Sequence, residues 1–361
     1  MPRVYNFGAG PAALPEEVLL QAREELCDWQ GTGMSVMEIS HRGERFKHLA
    51  EESEQDLRDL LAIPSTHTVL FLQGGGQTQF AAIPMNLMGA YSTAAYLDVG
   101  IWSQKAMAEA KRYCTVHEVA SGKSSHYTTI PDVSTWSVPT ESAYFYYVDN
   151  ETINGVEFFD IPENRGNVLV SDMSSNFLSK PIEISRYGLI FACAQKNIGP
   201  AGLTIVIVQR DLLQRSVMPQ TPSTLCYRIQ ADNHSLLNTP ATFSWYMASL
   251  VFKWLKKQGG VEAMAKRNQH KAKLLYQFID NSDFYCNPIS LQCRSRMNVI
   301  FTVPHTHLEA IFLKAAEREG LSALKGHRLL GGMRASIYNA MPLSGVEALI
   351  AFMQHFVDHH G

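Results

Sequence analysis

The chain has 361 residues, of which 46% are hydrophobic and 18% are charged, and its formal net charge is −3. This length can bury a large core and favours two lobes. The balanced charge gives no electrostatic reason to expect binding to nucleic acid or to a membrane surface, and no apolar run reaches the roughly 18 residues that a transmembrane helix needs.

The first predicted elements precede the sheet. Residues 1–14 are rich in glycine and proline and indicate an extended arm. A helix that begins at Pro15 and ends at Gly31 would place four apolar side chains on one face: Val18, Leu19, Ala22 and Leu26. A second amphipathic helix is predicted over residues 44–61.

Strands and helices alternate from residue 67 onward. The predicted strands span residues 67–73, 94–99, 143–148, 168–171, 189–192 and 203–208, and the predicted helices span residues 77–87 and 103–112. This alternation of apolar strands with helices predicts an α/β fold with a mostly parallel sheet covered on both faces. Ligands of such sheets bind beyond the carboxyl ends of the strands.

The last third of the chain has a different pattern. Two long helices are predicted over residues 244–258 and 261–280, followed by strands at 297–303 and 334–338 and helices at 307–319 and 345–358. The pattern indicates a smaller α+β lobe. We therefore expect a large domain of residues 15–260 and a small domain of residues 261–361 that also includes the arm.

Lys196 lies in a glycine-rich turn between two apolar strands. Desolvation of a lysine in such a place lowers its pKa and leaves a nucleophilic amine. The alternative is an ordinary loop lysine that reaches solvent. The side chains at neighbouring strand ends distinguish these two interpretations.

Four other strand ends carry candidate groups. Asp172 could keep the nitrogen of a pyridine ring protonated, although a metal, a ribose or a helix cap are alternatives. Residues 74–76 are three glycines before a helix and would suit a single phosphate better than a dinucleotide. Trp102 could stack on a flat ring, and Thr152 could donate its hydroxyl to a phenolate oxygen, although core packing and turn chemistry would also explain them. Together these groups match pyridoxal phosphate.

The sequence closely resembles the phosphoserine aminotransferases, which are fold-type I, class V pyridoxal-phosphate enzymes of serine biosynthesis. The resemblance covers nearly the full length and rests on residues 5–12, 38–42, 71–76, 171–176, 194–202, 238–240, 326–328 and 332–339. It implies reversible amino transfer from L-glutamate to 3-phosphohydroxypyruvate, which gives O-phospho-L-serine and 2-oxoglutarate. Members often also act on 4-phosphohydroxythreonine in vitamin B6 (pyridoxine) synthesis.

The resemblance also implies a role for individual residues. Lys196 would be the Schiff-base lysine and Asp172 the partner of the pyridine nitrogen, so these two are the catalytic residues. The other expected cofactor-binding residues are Gly76, Gln77, Trp102, Thr152 and Gln195, with Asn238 and Thr239 supplied by the second subunit of a homodimer. The expected substrate-binding residues are His41, Arg42, His327, Arg328 and Arg334. Arginine forks suit both carboxylate and phosphate, which supports the last group independently.

One position departs from part of the family. Some members have arginine where this chain has Gln77, so this chain lacks one cationic contact for the substrate phosphate. His327 and Arg328 would then carry more of the phosphate binding.

The alternatives that remain are another fold-type I enzyme, such as a cysteine desulfurase, a non-catalytic scaffold of this fold, and a nucleotide-binding oxidoreductase. The six cysteines are scattered and form no Cys-x-x-Cys pair, so we expect neither a metal site nor a disulfide framework. The amino terminus lacks the apolar core of a secretion signal. We expect a cytoplasmic protein that acts on small molecules and binds neither nucleic acid nor a membrane.

Overall fold

The computed structural model of the protein describes residues 3–328 and 330–361. Its strands are β1 (Tyr5–Asn6), β2 (His67–Gly74), β3 (Thr93–Asp98), β4 (Thr115–Ser121), β5 (Phe145–Val148), β6 (Asn150–Glu151), β7 (Val156–Glu157), β8 (Leu169–Asp172), β9 (Leu189–Cys193), β10 (Gly202–Gln209), β11 (Asn298–Phe301), β12 (Leu321–Ser322) and β13 (Met333–Ser336). Its α-helices are α1 (Glu16–Glu24), α2 (Glu44–Leu61), α3 (Gly76–Leu87), α4 (Ile101–Ala110), α5 (Tyr227–Asp232), α6 (Thr242–Lys257), α7 (Gly260–Asp280), α8 (Thr306–Arg318) and α9 (Leu343–His360).

A seven-stranded sheet forms the centre of the molecule, in the order β2-β10-β9-β8-β5-β3-β4. The strands from β9 to β4 are parallel to their neighbours, whereas β10 is antiparallel to both β2 and β9. The expected α/β class with a mostly parallel sheet is confirmed. The parallel strands place their carboxyl ends at one edge of the sheet, where the candidate residues lie.

Helices cover both faces of this sheet because its strands are apolar on both sides. In β3, Ala95 and Leu97 belong to one buried cluster, which also contains side chains of α2 and α6. Tyr96, between them, belongs to a second cluster that contains side chains of α3 and α4. Successive residues of a strand point to opposite faces, so a nearly continuous apolar run is what a doubly covered sheet requires.

A separate apolar cluster lies in the C-terminal part of the chain. It joins the C-terminal half of α7 to α8, α9 and the β11-β13 pair, and it includes Phe7 of the arm. The arm is attached to this part through β1, where Tyr5 pairs with Leu321 in a parallel bridge. The division into residues 15–260 and 261–361 stays a prediction, and the separate cluster supports it.

Two local predictions are wrong. The first helix ends at Glu24 instead of Gly31, because Gln30 adopts a left-handed φ of 53°, and Leu19 and Leu26 are exposed at 37% and 41%. Strand β4 was not predicted, since it lies at the edge of the sheet and has only one fully buried residue, Val119. Within the described residues, no helix is both long enough and apolar enough to cross a membrane.

Candidate active site

A cavity of about 220 Å³ lies beyond the carboxyl ends of the parallel strands. Loops that follow β3, β5, β8 and β9 contribute to it, together with the turn between β2 and α3. The predicted residues that line it are Gly76, Gln77, Trp102, Thr152, Asp172, Gln195 and Lys196. The fold thus brings together seven side chains or backbone positions that are as far as 120 residues apart in sequence.

Lys196 is only 9% exposed, and its Nζ donates a hydrogen bond to Oγ1 of Thr152 over 2.7 Å. Burial lowers the pKa of this amine, and the carboxylate of Asp172 acts in the opposite direction. The solvent-exposed alternative is therefore wrong. Thr152, which is 3% exposed, does more than terminate a turn, because its hydroxyl fixes the position of the lysine.

Asp172 is the last residue of β8 and is 6% exposed. The backbone N–H of Ser174 donates to its Oδ1 over 2.8 Å. Burial raises the pKa of this carboxyl, while Lys196 and the bond from Ser174 lower it. A carboxylate in this environment gains from a positively charged partner inside the cavity.

The N-terminus of α3 forms one wall of the cavity. No side chain in the described part of the chain caps it, so the first backbone N–H groups of the helix remain available to an anion. A side chain at Gly76 would place its Cβ 3.4 Å from Sγ of Cys193, which shows how closely the backbone approaches the cavity wall there. Gln195 lines the same cavity. This wall suits a phosphate group.

Trp102 is held by a buried glutamate that sequence reasoning did not identify. Glu151 is fully buried and accepts hydrogen bonds from the backbone N–H of Trp102 over 3.1 Å and from that of Ser103 over 2.8 Å. Burial raises the pKa of Glu151 to about 7 despite these donors. The residue was quoted only as part of a turn before Thr152; a glutamate within an otherwise buried segment is the signal that could have found it.

A group of positive side chains approaches the cavity from the C-terminal part of the chain. Arg334 lies on β13, close enough to lower the pKa of Lys196 slightly. Burial lowers the pKa of His327, and its positively charged neighbours Arg334, Arg328 and Lys105 lower it further. The structure therefore brings together three predicted substrate-binding residues, and it adds Lys105, which sequence reasoning missed.

The other expected residues lie elsewhere in the subunit. His41 and Arg42 line a different cavity of about 460 Å³, and Asn238 lines a third one. These two cavities adjoin each other, since Phe71 and Ser235 line both. Thr239, next to Asn238, is exposed as well. Within one subunit these four residues are not part of the cavity that contains Lys196.

Comparisons with known proteins identify the family. A family model described as aminotransferase class-V matches residues 4–349. Phosphoserine aminotransferase of Coxiella burnetii (strain CbuK_Q154) is 60% identical over 361 residues, which is 100% of both chains, and that of Azotobacter vinelandii is 55% identical over 99% of both. The chain belongs to the phosphoserine aminotransferase family.

Solved structures of this family agree. A phosphoserine aminotransferase from Bacillus circulans subsp. alkalophilus aligns with a TM-score of 0.97 and 45% identity over 99% of each chain. A structure of this enzyme from Trichomonas vaginalis, described as bound to pyridoxal phosphate, aligns with a TM-score of 0.95 and 44% identity over 98% of this chain and 100% of that one. The chain is a pyridoxal-phosphate-dependent aminotransferase.

The cavity fits the cofactor of this family on its own structural evidence. Nε1 of Trp102 is buried and has no hydrogen-bond partner among residues 3–328 and 330–361, so the indole faces a site that a further group would complete. A buried amine, a buried carboxylate and an uncapped helix terminus are also what an aldehyde, a pyridine nitrogen and a phosphate need.

The cysteine desulfurase alternative lacks a suitable thiol. Cys286 is exposed and Cys293 is 2% exposed beside Val156, and neither lines the cavity of Lys196. Cys193 does line it, but burial raises the pKa of its thiol, which therefore stays protonated and is a poor nucleophile. The family assignment also replaces the oxidoreductase and scaffold alternatives.

Proposed function

We propose that this protein catalyses reversible amino transfer from L-glutamate to 3-phosphohydroxypyruvate, which gives O-phospho-L-serine and 2-oxoglutarate in serine biosynthesis. The observation that carries the proposal is the placement of Lys196 and Asp172 in one buried cavity with Arg334 nearby. Full-length relatives at 55–60% identity carry the name of this activity. The same site would accept 4-phosphohydroxythreonine in vitamin B6 synthesis, since that substrate shares the phosphate and the amino-acid head.

Pyridoxal phosphate, when bound, supplies the electron sink that stabilises the negative charge left on the substrate Cα after loss of its proton. Lys196 would hold the cofactor covalently, Asp172 would face its ring nitrogen, and Trp102 would cover the ring. Thr152 would bond the ring oxygen. The cofactor phosphate would lie against Gly76, Gln77 and Gln195.

Lys196 would also move the proton. Burial disfavours the ammonium form, so a larger fraction of the amine is neutral and able to accept the Cα proton. The hydrogen bond from Nζ to Thr152 orients the amine within the cavity. The lysine can then return the proton at the neighbouring carbon, which completes one half of the transfer.

Arg334, His327 and Arg328 would bind the carboxylate and the second anionic group of the substrate. Nε of Arg334 is buried and has no hydrogen-bond partner in the described part of the chain, which supports a ligand there. Guanidinium groups pair with carboxylate and phosphate through two parallel hydrogen bonds. Both substrates of the reaction are dianions of this kind.

The remaining predicted residues would act in a homodimer. His41 and Arg42 adjoin the cavity of Asn238 on one side of the subunit, away from Lys196. Nε2 of His41 is buried and has no partner within the described residues. We assign this side to the dimer interface, where Asn238 and Thr239 reach the cofactor phosphate of the second subunit, and His41 and Arg42 reach its substrate.

A cytoplasmic location is part of the proposal. All six cysteines are free thiols in the structure, which is the usual state of cysteines in a reducing compartment.

The test is a coupled assay of amino transfer from glutamate to 3-phosphohydroxypyruvate, run beside hydroxypyruvate, the same keto acid without phosphate. We expect kcat/KM to be at least about 100-fold higher for the phosphorylated acceptor, because the phosphate gains charge-assisted bonds that a hydroxyl cannot make. Equal kcat/KM values for the two acceptors would contradict the proposal.

A further inference from the structure

Lys105 lies one turn after Trp102 on α4, and its Nζ is 4.5 Å from the centroid of the indole ring. Residues three apart on a helix share a face, so this contact follows from the sequence spacing. Nζ of Lys196 lies 5.9 Å from the centroid of the same ring. Lys105 is solvent-exposed and therefore stands near the mouth of the cofactor cavity rather than inside it.

No carboxylate in residues 3–328 and 330–361 lies within ion-pair distance of Lys105, although ion pairs are frequent elsewhere in the molecule. Its contact with Trp102 holds the ammonium through a cation–π interaction and leaves the charge uncompensated. The positive charges near Lys105 are those of Arg328 and Arg334, since all three act on His327. An uncompensated positive group of this kind attracts an anion.

The cofactor cavity itself has no cation at the position where some members of the family have arginine. Gln77, at the start of α3, is neutral and exposed. A phosphorylated substrate therefore needs a positive partner from another element. The helix that carries Trp102 is the neighbouring element, since α3 and α4 pack against each other.

We propose that Lys105 binds the phosphate group of the phosphorylated substrate at the mouth of the cavity, and thereby favours that substrate over glutamate. The inference rests on the proposed function. An ammonium is a compact point charge that can approach a phosphate from any direction, whereas a carboxylate is bound best by the planar fork of arginine. A phosphate monoester also carries up to about two negative charges, against one on the side-chain carboxylate of glutamate.

The test compares wild-type holoenzyme with Lys105→Met. Single-turnover amino transfer is followed with O-phospho-L-serine and separately with L-glutamate, and the concentration dependence gives an apparent dissociation constant for each. Calorimetry with inorganic phosphate measures binding without turnover. Lys111→Met is the matched control, because Lys111 is exposed just after the same helix and its removal changes the net charge equally.

We expect Lys105→Met to raise the apparent dissociation constant for O-phosphoserine about tenfold, and that for glutamate less than about twofold. Inorganic phosphate should bind more weakly to the same variant, and Lys111→Met should behave as wild type. Equal weakening for both amino acids, or unchanged affinity for O-phosphoserine and inorganic phosphate, would overturn the inference. If wild-type enzyme did not react with O-phosphoserine at all, the proposed function would fail instead.

Discussion

Burial acts in opposite directions on the two ionisable groups that face each other in the cavity. It lowers the pKa of the Lys196 amine and raises the pKa of the Asp172 carboxyl, because each charged form loses hydration. The attraction between the two groups partly restores both charges. A change at either residue is therefore felt at the other.

Replacement of Asp172 by asparagine tests this pair. The amide keeps the shape of the side chain and can still accept the hydrogen bond from Ser174, but it cannot balance a positive ring nitrogen. We expect kcat to fall at least about 100-fold in Asp172→Asn, with the thermal unfolding midpoint of the apoprotein nearly unchanged. A steady-state kcat within about threefold of wild type would argue against the assigned role.

The residues of this pair could be predicted from the sequence, because an apolar strand followed by a charged residue marks a strand end in an α/β sheet. Glu151 and Lys105 could not be predicted in the same way. Glu151 functions through backbone N–H groups 48 and 49 residues earlier in the chain, and Lys105 through a ring contact. Such partners become visible only once β3 and β5 lie side by side.

Helix α4 shows how an element is held in place by one buried group. Its first N–H groups point toward Glu151, and the hydroxyl of Ser103 donates to the same carboxylate over 3.0 Å. Glu151 immediately precedes Thr152, which is bonded to Lys196. The position of Trp102 and the position of the lysine are therefore fixed by adjacent residues.

Glu151→Gln should destabilise this part of the molecule. The amide offers one acceptor oxygen where the carboxylate offers two, which leaves a buried N–H without a partner at a cost of about 1–3 kcal/mol. We expect a lower urea midpoint by circular dichroism and weaker cofactor retention. Glu118→Gln, an exposed position on β4, is the control and should unfold as wild type does.

The effect of Glu151→Gln should also depend on pH. The pKa of Glu151 is about 7 in the folded protein, against 4.5 for an unperturbed glutamate. As pH rises between these values the unfolded chain releases its proton first, so wild type loses stability while the glutamine variant does not. The stability difference should thus be larger at pH 5 than at pH 7; an increase in that difference toward pH 7 would contradict the assignment.

At the scale of the whole molecule, the dimer decides which residues form one active site. The resemblance implied partner contacts for Asn238 and Thr239, and the structure puts His41 and Arg42 beside them. A sequence can suggest that Arg42 binds substrate, but it cannot indicate which subunit's substrate, because that depends on how two folded surfaces meet. The antiparallel placement of β10 between β2 and β9 is likewise a property of the assembled sheet.

A mixing experiment tests the dimer. Lys196→Ala and Arg42→Ala, each weakly active alone, are unfolded together and refolded as a mixture. If Arg42 serves the site of the partner subunit, half of the dimers contain one intact site, and about a quarter of wild-type activity should return. Activity no higher than the average of the two separate variants would mean that Arg42 serves its own subunit.

The most direct test of the central claim is the visible absorbance of purified Lys196→Ala after incubation with pyridoxal phosphate and gel filtration, beside wild type treated in the same way. Wild type should retain the yellow band of a lysine-bound pyridoxal cofactor, and the variant should lose both this band and all amino transfer. Retention of the band and of wild-type turnover in Lys196→Ala would contradict the account.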